Sequence, residues 1–235
     1  MQRGNFRRAV GRMLAAGALA APTPALADSV EACANPAEPW AQLSACTEVI
    51  DGGEWRGASA AWAHSNRAMA HAALGNHQFA FDDHDTAIRL DPLNPRAWNN
   101  RATSHAEFRQ YDQALSDYAQ ALTLDPDYVT ALINRASVYD EMKNPKAAHA
   151  DYDQAIALEA AAGRETADLM FLRADMACRM GEVDASIRDR TPAMEGGLFP
   201  RAQMANLLTA KGYLREGGDF DTAFRAWTEA GCPWQ

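Results

Sequence analysis

The sequence lacks the local signatures of catalysis. It holds no GxSxG elbow, no HExxH, no phosphate-binding glycine loop and no GxGxxG. Serine hydrolysis, zinc proteolysis and nucleotide binding are therefore left without their usual backbone devices. Asp82-Asp83-His84-Asp85 sets acids beside a histidine, but on a helix four consecutive residues point four ways and make no acid–base dyad. The four cysteines, Cys33, Cys46, Cys178 and Cys232, include no CxxC, so neither a redox motif nor a zinc ribbon is indicated. The apolar run Met13 to Ala21 is too short to span a bilayer, and no later segment is long enough. No stretch is rich enough in Gly, Pro or Ser to mark a linker to a second domain.

What is present is globular composition, with 48% hydrophobic and 23% charged residues in a chain of 235. The first 27 residues stand apart. They carry Arg3, Arg7, Arg8 and Arg12, no acid, a short apolar run, and then Ala25-Leu26-Ala27, the small-x-small pattern of a signal peptidase site. Residues 1–27 therefore read as a secretory leader. Arg7-Arg8 hints at twin-arginine export, but the surrounding residues favour the general secretory route. No cysteine directly follows Ala27, which argues against a lipoprotein. Removing the leader takes four arginines and no acid, and moves the net charge from −9 to −13. An acidic chain of this kind repels phosphate, so nucleic acid is excluded as the expected partner. No membrane insertion is expected once the leader is gone. In an oxidising compartment an even cysteine count suggests disulfides. Cys33 and Cys46 flank Pro36 and Pro39 at short range and are expected to bridge, the alternative being two small buried apolar residues.

The body of the chain repeats itself. HQFAFDDHDTAIRLDP (77–92), YDQALSDYAQALTLDP (111–126) and PKAAHADYDQAIALEA (145–160) each start 34 residues after the last. Asn66, Asn100, Asn134; Arg67, Arg101, Arg135; Ala68, Ala102, Ala136; Ala80, Ala114, Ala148; Asp83, Asp117, Asp151; and Ala87, Ala121, Ala155 keep the same step. Each unit holds two helix-length segments with apolar and small residues three and four apart. Polar turns at Gly75-Asn76, Arg109-Gln110 and Lys143-Asn144 separate the segments, and Leu-Asp-Pro (90–92, 124–126) separates the units. Small alanines let paired helices approach, and Trp98, Tyr111 and Tyr118 fill the spaces between them.

In these residues the sequence resembles the tetratricopeptide repeat family. Trp98, Ala102, Tyr111, Ala114, Tyr118, Ala121 and Pro126 carry the resemblance in one unit, and Leu132, Ala136, Tyr139, Ala148, Tyr152 and Ala155 in the next. The resemblance implies an all-α, right-handed solenoid of stacked antiparallel helix pairs. The expected organisation is a leader at 1–27 and an N-terminal cap at 28–60, a single helix from Trp40 to Ile50 pinned by the disulfide. Repeats follow at 61–94, 95–128 and 129–162, then a degenerate repeat at 163–199, displaced by an insertion near Ala160–Gly163, and a repeat-like hairpin at 200–235. The chain looks like the periplasmic tetratricopeptide-repeat proteins of alphaproteobacteria.

The family consensus has Leu-Gly at positions 7 and 8 of a repeat, where this chain has Arg-Ala. Two helices that turn near position 15 bring position 7 level with position 23. Arg67/Asp83, Arg101/Asp117, Arg135/Asp151 and Arg173/Asp189 are thus expected as a ladder of structural ion pairs. His64, His71, His77 and His84 occupy positions 4, 11, 17 and 24 of the first repeat, where the family places large aromatics. They read as flat packing residues, or alternatively as a site that binds a transition metal or responds to pH. Cys178 falls late in a first helix and Cys232 after a second helix, at different heights, and their pairing is left open. The resemblance also implies a concave partner-binding face: Trp62, Ser65, Met69; Arg96, Asn99, Thr103; and Thr130, Ile133, Ser137, flanked by Glu107, Asp140 and Glu141. Ser65, Asn99 and Ile133 stand where a carboxylate clamp needs Lys, so capture of a chaperone C-terminus is not indicated. The expected function is a non-catalytic scaffold of the cell envelope, without a cofactor, binding a protein or peptide with a hydrophobic anchor and basic residues.

Overall fold

A computed structural model describes residues 24–35, 38–195 and 200–233. Most of the expected leader, residues 1–23, lies outside the described residues. The described chain is all-α: α1 (Pro24–Ala34), α2 (Pro39–Asp51), a 3-10 turn (Gly57–Ala60), α3 (Ala61–Ala73), α4 (His77–Leu90), α5 (Pro95–Glu107), α6 (Tyr111–Leu124), α7 (Val129–Glu141), α8 (Pro145–Ala161), α9 (Ala167–Arg179), α10 (Val183–Glu195), α11 (Arg201–Ala210) and α12 (Phe220–Glu229). Among the described residues no helix is long and apolar enough to cross a membrane. Two compact units divide the chain, Met1–Asn100 and Arg101–Gln235, with the boundary inside α5.

In the first unit the cap is a hairpin of two helices, where a single helix was expected. Pro39 occupies the first turn of α2, where its missing N–H costs no hydrogen bond. A disulfide joins Cys33 on α1 to Cys46 on α2, with the Cα atoms 4.7 Å apart. Val30, Ala45, Val49 and Ala63 bury themselves around it, with Trp55 and Trp62 packed against the same cluster. Helices α3 and α4 then pair through Ala68, Ala80 and Ala87, all fully buried. Leu90 ends α4 just before Pro92, whose carbonyl accepts the Trp98 indole N–H at 3.0 Å.

In the second unit the same small-residue logic recurs at Ala114, Ala121, Ala136, Ala148 and Ala155, each fully buried. Tyr118, Leu132, Tyr152 and Met176 fill the remaining core. The insertion near residue 160 lengthens α8 to 17 residues, against 14 in α6, which is why the next pair, α9 and α10, falls out of step. The last hairpin, α11 and α12, closes over a core of Met204, Leu208, Phe224 and Trp227 together with Cys178 and Cys232. Those two cysteines form a second disulfide, Cα atoms 6.2 Å apart. The height difference that left this pairing open is cancelled because the chain turns back after α12 through left-handed backbone at Gly231 and Cys232 (φ 83° and 51°).

The tight turn inside each helix pair uses one left-handed residue at the same repeat position: Gly75, Arg109 and Lys143, with φ 75°, 58° and 59°. Glycine takes this conformation without a Cβ penalty; arginine and lysine do not.

Candidate functional site

The Arg–Asp pairs set the height of each helix against its partner. Arg67 donates from Nε and Nη2 to the two oxygens of Asp83 at 2.6 and 2.8 Å. Arg135 grips Asp151 in the same fork at 2.8 and 2.7 Å, and Arg173 Nε reaches Asp189 at 2.7 Å while its other edge holds Asp153. The carboxylates of Asp83, Asp117, Asp151 and Asp189 are buried. Hydrogen bonds to Asp83 and to Asp151 raise the guanidinium pKa of Arg67 and Arg135 above the usual value. A planar fork on a carboxylate adds directional specificity that a point charge would lack.

The histidines of the first repeat take separate roles. His64 meets Asp83 through Nδ1 at 2.9 Å, so this carboxylate has two side-chain partners, His64 and Arg67. His71 stacks on Phe79 with ring centroids 5.4 Å apart, and burial lowers its pKa. His77 is exposed at the start of α4, and His84 is completely buried. Among the described residues no group of three or more His, Cys, Asp or Glu is disposed to hold a metal ion.

The expected partner-binding residues divide into filled and open positions. In the first unit, Trp62 packs edge-on against Trp55, centroids 5.7 Å apart, and belongs to the core of the cap. Ser65 is buried and accepts a hydrogen bond from Asn100 at 2.9 Å, and Asn99 is buried too. Met69 is half-buried and Arg96 exposed. In the second unit, Thr103 shares a hydrogen bond with the Tyr118 phenol at 3.2 Å. Burial pushes that phenol's pKa up to about 12, so it stays protonated. Ile133 packs into the core, while Thr130 and Ser137 are exposed. Ser137 donates back to the Ile133 carbonyl at 3.1 Å. Acidic groups border these positions. Glu141 accepts from the Tyr111 hydroxyl at 2.5 Å, Asp140 pairs with Arg179, and burial raises the pKa of the Glu107 carboxyl. The Tyr111–Glu141 contact, which braces α6 against α7, had no signal in the sequence beyond the large residue at that repeat position.

Comparison with known proteins agrees with this architecture. Residues 95–128 and 129–161 each match a tetratricopeptide repeat model. A search of curated protein sequences finds no match. Among solved structures, the chain is similar to a tetratricopeptide repeat protein from Parabacteroides merdae, at TM-score 0.61 and 17% identity, covering 81% of this chain and 75% of that one. It is similar to TTC0263, a thermophilic TPR protein of Thermus thermophilus, at 0.57 and 20% identity, covering 79% and 96%. It is also similar to MamA (41-end) from Desulfovibrio magneticus, at 0.58 and 18% identity, covering 72% and 92%. Residues 95–161 are therefore two tetratricopeptide repeats, and the chain around them shares the helix-pair fold of these proteins.

Proposed function

We infer that the protein is an exported, non-catalytic interaction scaffold that holds a basic protein or peptide segment against the first-helix faces of its repeats. The observation that carries this reading lies in the second unit. On α7, Thr130 and Ser137 stay open to solvent with the exposed Glu141 one helical turn beyond Ser137, and Glu107 is exposed at the end of α5. Partial burial raises the Glu107 pKa, and an arriving Lys or Arg would offset that shift. The exposed hydroxyls of Thr130 and Ser137 offer neutral hydrogen bonds to a peptide backbone. Within the first unit, taken by itself, Ser65 and Asn99 are internal struts, and Arg96 and Met69 are the accessible first-helix residues.

Two disulfides support placement in an oxidising compartment, the periplasm being the reading that fits the leader-like N-terminus. The test of the binding face is fluorescence anisotropy with a panel of labelled peptides that carry Lys or Arg at every third residue around one Leu or Trp anchor. Binding should weaken about a hundredfold in Glu107→Lys/Glu141→Lys, since two charge-assisted contacts of about 1.5 kcal/mol each are lost. Equal affinity for the double variant and the natural protein would reject this face.

A further inference from the structure

Arg190 on α10 is completely buried and has an unusual neighbour. Its Nη1 donates to Ser186 Oγ at 2.7 Å and lies 3.0 Å from Cys232 Sγ, one end of the Cys178–Cys232 disulfide. The guanidinium sits over the ring of Trp227, 5.0 Å from its centroid, and 5.8 Å from that of Phe171. Asp175 approaches Nη2 at 3.5 Å, but Asp175 also engages Arg179 at 2.7 Å, so its charge is shared between two arginines. Burial drives the Arg190 pKa down to about 10, against the partial relief that Asp175 gives. An anion beside Arg190 would be strongly favoured there. The two sulfurs differ: Cys232 Sγ faces this cation, whereas Cys178 Sγ lies 3.5 Å from the backbone carbonyl oxygen of Thr228, which disfavours negative charge.

We propose that Cys178–Cys232 is a reducible, redox-responsive disulfide whose reduced form is held by an Arg190–Cys232 thiolate ion pair, with a dithiol as its reaction partner. A reductant thiolate attacks Cys178 Sγ, forming a mixed disulfide, and the electron pair of the broken S–S bond leaves on Cys232 as thiolate, opposite Arg190. The reductant's second thiol then attacks the mixed disulfide. Cys178 departs and takes up a proton, and the reductant is released as its own disulfide. Two electrons pass to the protein, with one proton on Cys178 and one left in solvent. A cation at the leaving sulfur lowers its thiol pKa and speeds its departure, and stabilising the reduced form makes a disulfide more oxidising. Both sulfurs are buried under α11 and α12, so exchange requires this terminal hairpin to lift, and reduction removes the covalent link that seats it.

The same chain contains its own control. Cys33–Cys46 lies among Val30, Ala45, Val49 and the two tryptophans, with Gln42 donating to the Cys33 carbonyl. The full-length folded protein is equilibrated in dithiothreitol redox buffers, and the state of each pair is read by alkylation and peptide mass spectrometry. Cys178–Cys232 should reduce at a buffer ratio at least tenfold more oxidising than Cys33–Cys46, about 30 mV for a two-electron couple. Arg190→Met should abolish that gap, and Arg190→Lys should keep most of it. In the reduced natural protein, Cys232 should alkylate with a pH midpoint below that of Cys178. Simultaneous reduction of the two pairs, or a Cys232 midpoint at or above that of Cys178, overturns the proposal even if Arg190→Met does not fold.

Discussion

Arg101 grips Asp117 with two parallel hydrogen bonds, Nε to Oδ2 at 2.7 Å and Nη2 to Oδ1 at 2.8 Å. The same fork recurs one repeat earlier at Arg67–Asp83 and one repeat later at Arg135–Asp151. Each pair joins residues 16 apart, across the turn of one helix pair. The fork therefore fixes the register of the two helices where smooth alanine surfaces would let them slide.

Removing one member should expose its importance. Arg101→Leu leaves Asp117 as a buried carboxylate without its fork, and should cost about 2–3 kcal/mol. That is below the full figure for a buried pair, because Arg101 keeps part of its side chain in water. Arg101→Leu/Asp117→Leu should recover much of the loss. Urea denaturation of both variants measures it, and an unchanged midpoint in Arg101→Leu would contradict a structural role for the ladder.

Acid should weaken the first repeat in two windows. Burial lowers the His71 pKa, so the folded state favours the neutral ring, and stability declines as pH falls through and below 6.5. Burial alone would raise the Asp83 pKa, but hydrogen bonds from His64 and Arg67 outweigh it and hold the carboxyl below its usual value. Its contribution is complete above pH 3.8 and is lost as pH drops through the lower folded value. Melting curves from pH 7 to 3 should show both steps. His71→Phe should remove the upper one, and Asp83→Asn the lower.

The turn residues supply a stabilising change. Arg109 and Lys143 occupy the left-handed position that Gly75 fills in the first repeat. Arg109→Gly should relieve the Cβ penalty and gain about 0.5–1 kcal/mol, net of the extra freedom glycine has in the unfolded chain. A drop in melting temperature would show that the Arg109 side chain makes a compensating contact.

Loss of the cap disulfide should loosen the first unit. The bridge closes a loop with a sequence separation of 13, for which chain entropy gives about 3 kcal/mol. Cys33→Ala/Cys46→Ala should lower stability by about that amount and increase the solvent exposure of Trp55 and Trp62, readable as a red-shifted tryptophan emission.

The repeat body was legible because its constraints are local and periodic. Ala80, Ala114 and Ala148 must be small wherever two helices touch, so the 34-residue step appears in the sequence itself. The 16-residue spacing of Arg and Asp follows from one helix turn and its return. The surface was less legible. Position 5 is an open face only if nothing covers it, and Ser65 and Asn99 are covered, a fact that depends on neighbouring packing. His64 meets Asp83 through a choice of side-chain direction, which periodicity does not encode. The Cys178–Cys232 bond depends on the path of the chain after α12, where Cys232 adopts a conformation its residue type does not advertise.

The most direct test of the scaffold reading is photo-crosslinking in cells from Thr130 and Ser137, each replaced in turn by a benzophenone amino acid, with mass spectrometry of the adducts. One recurrent protein is expected from both positions, attached through a segment rich in Lys or Arg, and lost in Glu107→Lys/Glu141→Lys. Adducts that differ between the two positions, or that persist at equal yield in the charge-reversed protein, would contradict the scaffold reading.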